Sequence, residues 1–163
     1  MAELKRTETV ERAIALHLSG YNCAQAVLCA FCERTGVDEK TLLRTASDLG
    51  GGISGSHENA CGAVTGMIVA FGLIRGYDDV TDLEKKKRVY AEGQQLLERF
   101  KSEFGTLTCG ILKDEIAPKY AGNPHPLVTE ENPKPCSQFV AYAAAVLEAE
   151  LQAMNNENRI MNN

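Results

Sequence analysis

The chain has no tryptophan, three histidines, and only five tyrosines and five phenylalanines in 163 residues. It has no excess of basic charge: 17 Lys and Arg against 22 Asp and Glu leave a formal net charge of −5. That balance argues against nucleic acid or an anionic membrane as the main partner, since both require a basic face. The one basic run, Lys85-Lys86-Lys87-Arg88, follows Asp82 and Glu84 on a predicted helix and reads as a solvated face. No long apolar run is present. The longest charge-free stretch, Ala60 to Ile74, is short of the roughly 20 residues of a membrane span and is interrupted by glycines. Residues Met1 to Ser19 are charged and amphipathic, without the apolar centre of a secretory signal, so a cytoplasmic location is expected. Alternating strand patterns are nearly absent, no Ser-His-acid set or paired-carboxylate motif is readable, and the glycine loop at residues 50–56 lacks the Gly-Lys-Ser/Thr ending of a phosphate-binding loop.

What the chain does have is helical periodicity with capping signals. A first helix is expected over Thr7 to Leu18, with Val10, Ala13, Ile14 and His17 on one face and Gly20 ending it. His17 reads there as a hydrogen-bonded core residue. Asn22 can cap a second helix reaching Arg34, and Asp38 a third carrying Leu42 and Leu43. Asn59 is placed to cap a fourth that starts near Cys61, ends near Gly76, and is apolar almost all round, as a central buried helix would be. Along it Gly62, Gly66 and Ala70 form a row of small residues that admits a close neighbour. Asp79 to Phe104 is the longest helical pattern, with Tyr90, Gly93, Leu97, Phe100 and Phe104 on one face. Thr108 can cap a short helix through Lys113. All five prolines fall between Pro118 and Pro135, which marks an irregular segment, and a last helix is expected from Pro135 to Met154. The predicted architecture is all-α: a single-domain helical bundle of about five long helices plus short ones over residues 1–154, then a polar tail, 155–163.

Six cysteines stand against this map. Structural disulfides are rare in the cytoplasm, so such cysteines are more often catalytic, redox-sensing, metal-ligating or inert. Cys23 follows the cap Asn22, Cys61 opens the fourth helix, Cys109 follows Thr108, and Cys136 follows Pro135. All four are thus predicted in the first turn of a helix, where free N–H groups and the helix dipole favour a thiolate over the free thiol, whose ordinary pKa is roughly 8.5. Cys29 and Cys32 form a C-x-x-C pair inside the second helix with no turn before it, and read as small packing residues.

The segments Gly20-Tyr21-Asn22-Cys23-Ala24-Gln25-Ala26-Val27, Cys61-Gly62-Ala63-Val64-Thr65-Gly66 and Cys109-Gly110-Ile111-Leu112, followed by Cys136, together resemble the C_GCAxxG_C_C family. That family is named for its cysteine pattern and described as redox-active. The resemblance spans Gly20 to Leu147 and places the family's cysteines on Cys23, Cys61, Cys109 and Cys136, leaving Cys29 and Cys32 outside. One local departure is visible: Cys61-Gly62-Ala63 stands where the family name has Gly-Cys-Ala.

Three functions follow as expectations. In the first, the four cysteines perform thiol–disulfide exchange with an unidentified redox partner or small oxidant and need no cofactor, and Cys61 is the suggested attacking thiol because the glycine loop before it could admit a substrate. In the second, Cys23, Cys61, Cys109 and Cys136 bind zinc or an iron–sulfur cluster, with His57, four residues before Cys61, as a further ligand candidate. In the third, the protein is a non-catalytic helical binding module that docks a partner through the Pro118 to Pro135 segment. The sequence names no partner and no oligomeric state.

Overall fold

A computed structural model describes residues 3–161, and all the regular elements among them are helical. Helix α1 (Glu8–Leu18) starts where Thr7 Oγ1 accepts the Val10 N–H at 3.4 Å. Helix α2 (Cys23–Ala30) is closed by a capping box: Asn22 Oδ1 accepts from Gln25 N–H at 2.9 Å, and Gln25 Oε1 accepts from Asn22 N–H at 3.1 Å. The second helix does not run unbroken to Arg34. Phe31, with its ring buried, leaves helical dihedrals at φ −99° and ψ 13°, and the chain resumes as the single turn α3 (Cys32–Thr35) before Gly36 ends it at φ +70°. Asp38 caps α4 (Glu39–Thr45) as expected.

Helix α5 (Gly62–Arg75) has Cys61, not Asn59, at its cap position. The Asn59 side chain instead donates to Gly52 O, and so stitches the glycine loop together. Helix α6 (Leu83–Phe104) begins later than the sequence pattern implied. Asp79 is spent on a turn with Thr81, and Asp82 takes over as cap by accepting from Lys85 N–H at 2.9 Å. The buried line of α6 is Leu96, Phe100 and Phe104. Tyr90, expected on that line, is 56% exposed under the Lys86 ammonium, because the first half of α6 is largely solvated. Helix α7 (Cys109–Ile111) is one turn that continues without a break as a wide turn over Leu112–Ile116 and a 3₁₀ turn over Ala117–Tyr120. Helix α8 (Ser137–Met161) starts two residues past Pro135 and runs beyond Met154.

The centre of the molecule is α8 rather than α5. Every residue from Ser137 to Ala149 is buried, since a run rich in alanine lets neighbours close in on all sides. Helix α5 keeps Gly72 and Leu73 at the surface. Its row of small residues does what the spacing implied and receives α2: a Cβ on Gly66 would lie 2.5 Å from Ala24 O, and one on Gly62 would lie 3.1 Å from Ala24 N. An isolated antiparallel bridge, Ala60 to Thr108, ties the starts of α5 and α7 together. The proline segment is an anchored strap. Leu127 and Val128 are buried, the Arg6 guanidinium donates to Leu127 O at 2.8 Å, and His125 N–H donates to Gln138 Oε1 at 2.8 Å. Among the described residues no helix is long and apolar enough to cross a membrane.

Candidate functional site

Each of the four cysteines sits at a helix start. Cys23 and Cys109 are the first residues of α2 and α7, and Cys61 is the cap residue of α5. Cys136 occupies the corresponding position before α8, where its carbonyl accepts the Phe139 and Val140 N–H groups at 3.1 and 3.2 Å. The close approach of α2 to α5 at Gly62 and Gly66, the Ala60–Thr108 bridge, and the end of the strap bring these four starts to one end of the bundle. Cys61 N–H donates to Leu107 O at 2.8 Å, and Cys109 N–H to Asn59 O at 2.9 Å, so the bridge positions both residues directly.

The sulfurs converge. Cys23 and Cys136 act on each other's ionisation, and Cys61, Cys109 and Cys136 lie within electrostatic reach of one another. All six cysteines are free thiols. Cys29 and Cys32 are elsewhere: Cys29 is fully buried in the core, and Cys32 Sγ donates to Val37 O at 3.3 Å. They stay outside the site, as their position inside a helix implied.

The four thiols are not equivalent. Burial pushes Cys61 up to about 12, against the opposing pull of the Ala63 and Val64 N–H groups. That thiol is 3% exposed, so the loop in front of it does not open it to solvent. Cys109 is also raised by burial and by the charge of Cys136, with Lys113 working the other way. Cys23 is raised well above the usual thiol range by its neighbour Cys136 and by burial. Cys136 alone is lowered: its neighbour Cys23 and the Lys113 ammonium together outweigh burial. The uniform thiolate environment expected of four helix starts therefore does not occur. Desolvation overrides the helix dipole at Cys61 and Cys109, and the neighbour Cys136 leads at Cys23.

Two imidazoles touch the cluster. His57 Nδ1 lies 3.4 Å from Cys109 Sγ. The residue is exposed and is held at φ +61° by bonds from its N–H to Gly51 O and from Gly110 N–H to its carbonyl, both 2.8 Å. Gly52 is required beside it, because a Cβ there would sit 2.7 Å from Cys109 Cβ at a φ of +70°. His17 is the member that sequence reasoning placed in the core without a role. It is 6% exposed, with Nε2 at 3.7 Å from Cys23 Sγ and Nδ1 at 3.5 Å from Ser137 Oγ. Burial, then the nearby Lys134 charge, lower its pKa to about 4 and keep the ring neutral. The available signal was its place on the buried face of α1, one short turn before Cys23. Lys113 was missed as well, since nothing in its sequence context marks it.

Among the described residues no group of three or more His, Cys, Asp or Glu side chains is arranged to hold a metal ion. A cavity of about 640 Å³ lies between the α7 extension and the strap, with Lys113, Tyr120, Lys134, Pro135 and Gln138 among its walls. It flanks Cys136 on both sides in sequence, and Cys136 is half-buried, not sealed.

The domain is all-helical and gathers four free thiols from four helix starts. Residues 21–150 match the family described as "Putative redox-active protein (C_GCAxxG_C_C)", and the chain belongs to that family. No curated protein and no solved structure matches the chain.

Proposed function

We propose that the protein carries out thiol–disulfide exchange, with Cys136 as the attacking thiolate and Cys23 as the resolving thiol. The observation that carries this reading is the gathering of four free helix-start thiols at one end of the bundle, among which the half-buried Cys136 is lowered while its neighbour Cys23 is raised. An attacking group needs a populated thiolate, and a resolving group must stay protonated until its target sulfur has reacted. Cys136 S⁻ attacks one sulfur of a substrate disulfide R–S–S–R′. A Cys136–S–S–R bond forms and R′S⁻ leaves. Cys23 then loses its proton and attacks the Cys136 sulfur, forming Cys23–S–S–Cys136 and releasing RS⁻, which takes up a proton. Two electrons pass from the protein to the substrate. Substrate reaches Cys136 through the cavity between Lys113 and the strap.

The test is thiol counting and metal analysis on protein purified without oxygen. The expected result is metal-free protein that loses two thiols reversibly on mild oxidation, with the new disulfide mapped to Cys23 and Cys136. Replacing Cys29 and Cys32 with alanine leaves that change in place. Zinc or iron bound near one equivalent, or a disulfide that excludes Cys136, overturns the reading.

A further inference from the structure

On the exchange reading above, one buried group next to a reacting atom has no assigned work. We infer that His17 is a catalytic residue: its Nε2–H donates to Cys23 Sγ and stabilises the Cys23 thiolate as it closes the disulfide.

The contact is direct, 3.7 Å from Nε2 to Sγ, which is within the range of an N–H···S hydrogen bond. Its direction follows from the far side of the ring. Ser137 Oγ, fully buried, lies 3.5 Å from Nδ1 and is placed to give it a proton. Nε2 is then the N–H, and it meets Cys23 Sγ as a donor. A single file results: Ser137 hydroxyl, His17 ring, Cys23 sulfur.

The file matters most after the first step. Once Cys136 is a mixed disulfide, Cys23 must become a thiolate at a half-buried place against the core, and partly buried charge without a donor is costly. The His17 N–H is already aimed at it, with no reorganisation at the moment of attack. The Cys23 proton passes to the departing RS⁻, through water at the half-buried Cys136 side, and His17 keeps its own. The groups facing the ring are Cys23 from α2, Ser137 from α8 and Lys134 from the strap, whose ammonium donates to the His17 carbonyl at 2.8 Å. Lys134 and burial together keep the ring uncharged across the working pH range, so it serves as a fixed donor and not as a titrating base.

The test uses the full chain and a sub-stoichiometric amount of 5,5′-dithiobis(2-nitrobenzoate). Each of the two steps releases one coloured thiolate, the first on attack and the second on closure. His17→Leu retains the first phase and slows the second by about 10- to 100-fold at neutral pH, the range for a lost hydrogen bond to a charged group. Its closure profile also moves to higher pH. His17→Gln, which keeps an N–H of similar reach, recovers most of the rate. A first phase followed by unchanged closure in His17→Leu overturns the assignment, as does equal slowing in the Leu and Gln variants, which marks a packing role. Absence of the first phase in the unsubstituted protein overturns the exchange reading itself.

Discussion

The same substitution, glycine to alanine, should have opposite effects at two helical positions. Gly66 faces α2, and an added Cβ would lie 2.5 Å from Ala24 O, 3.0 Å from Ala24 Cα and 3.1 Å from Ala24 C. All three are backbone atoms, so no rotamer change relieves the overlap and the helices must separate. Overpacking of this kind costs roughly 1–3 kcal/mol, and the rigidity of the target places Gly66→Ala at the upper end. Alanine returns about 1 kcal/mol of helix propensity, so the net loss is about 2 kcal/mol. Gly93, in the middle of α6, has nothing within 4 Å of the added Cβ. Gly93→Ala therefore gains about 1 kcal/mol with no opposing term. Urea unfolding followed by helical signal, with matched slopes, measures both. The two variants should differ by about 3 kcal/mol. The consequence reaches the site, because Ala24 directly follows Cys23: separating α2 from α5 moves the resolving thiol, and Gly66→Ala should slow disulfide closure while Gly93→Ala leaves it alone. A Gly66→Ala protein as stable as the parent would refute the close-packing argument, and with it the claim that the glycine row sets the position of Cys23.

Two further predictions concern charge. Lys113→Gln should move the Cys136 alkylation profile to higher pH, because the Lys113 ammonium helps to lower that thiol, and Cys109 should shift the same way; iodoacetamide rates against pH with site mapping report both, and an unmoved Cys136 profile would remove Lys113 from the site. His17 falls from 6.5 to about 4 on folding, chiefly through burial, so between those values the unfolded chain binds more protons than the folded one. Stability contributed by the neutral ring is complete above pH ~6.5 and is lost as pH falls toward ~4, by about 3 kcal/mol at most. His17→Gln should flatten that part of the stability curve, and a curve identical to the parent's would show that His17 is not buried neutral.

Much of the bundle was legible because capping chemistry is local. Asn22 and Asp38 act where the sequence places them, since each needs only its own turn to form its bond. The misplaced boundaries have competing local partners or tertiary causes. Asn59 had a better use in the glycine loop, and Asp79 in a turn with Thr81. Which helix lies at the centre depends on how neighbours surround it, and an apolar glycine-containing segment such as α5 looks as buried in sequence as the alanine-rich α8. The cysteine positions were legible for the same local reason as the caps. Their ordering by acidity was not, because it depends on Lys113, on the neighbouring sulfurs and on the depth of each sulfur, all of which are set by residues distant in the chain.

That ordering is what distinguishes a site from four similar positions. If helix dipoles governed the thiols, Cys61 would be among the most acidic, since it caps the 14-residue helix α5 and two N–H groups act on its sulfur. Burial nevertheless pushes it up to about 12. Cys136 differs because its neighbour Cys23 and the Lys113 ammonium lower it, and it is half-buried where Cys61 is sealed. The dipole is shared by all four sulfurs and so cannot differentiate them. Depth and neighbouring groups can: the sealed Cys61 is raised, and Cys136, open on one side and near an ammonium, is lowered. On the exchange reading proposed above, that difference makes Cys136 the attacking end and its neighbour Cys23 the resolving end.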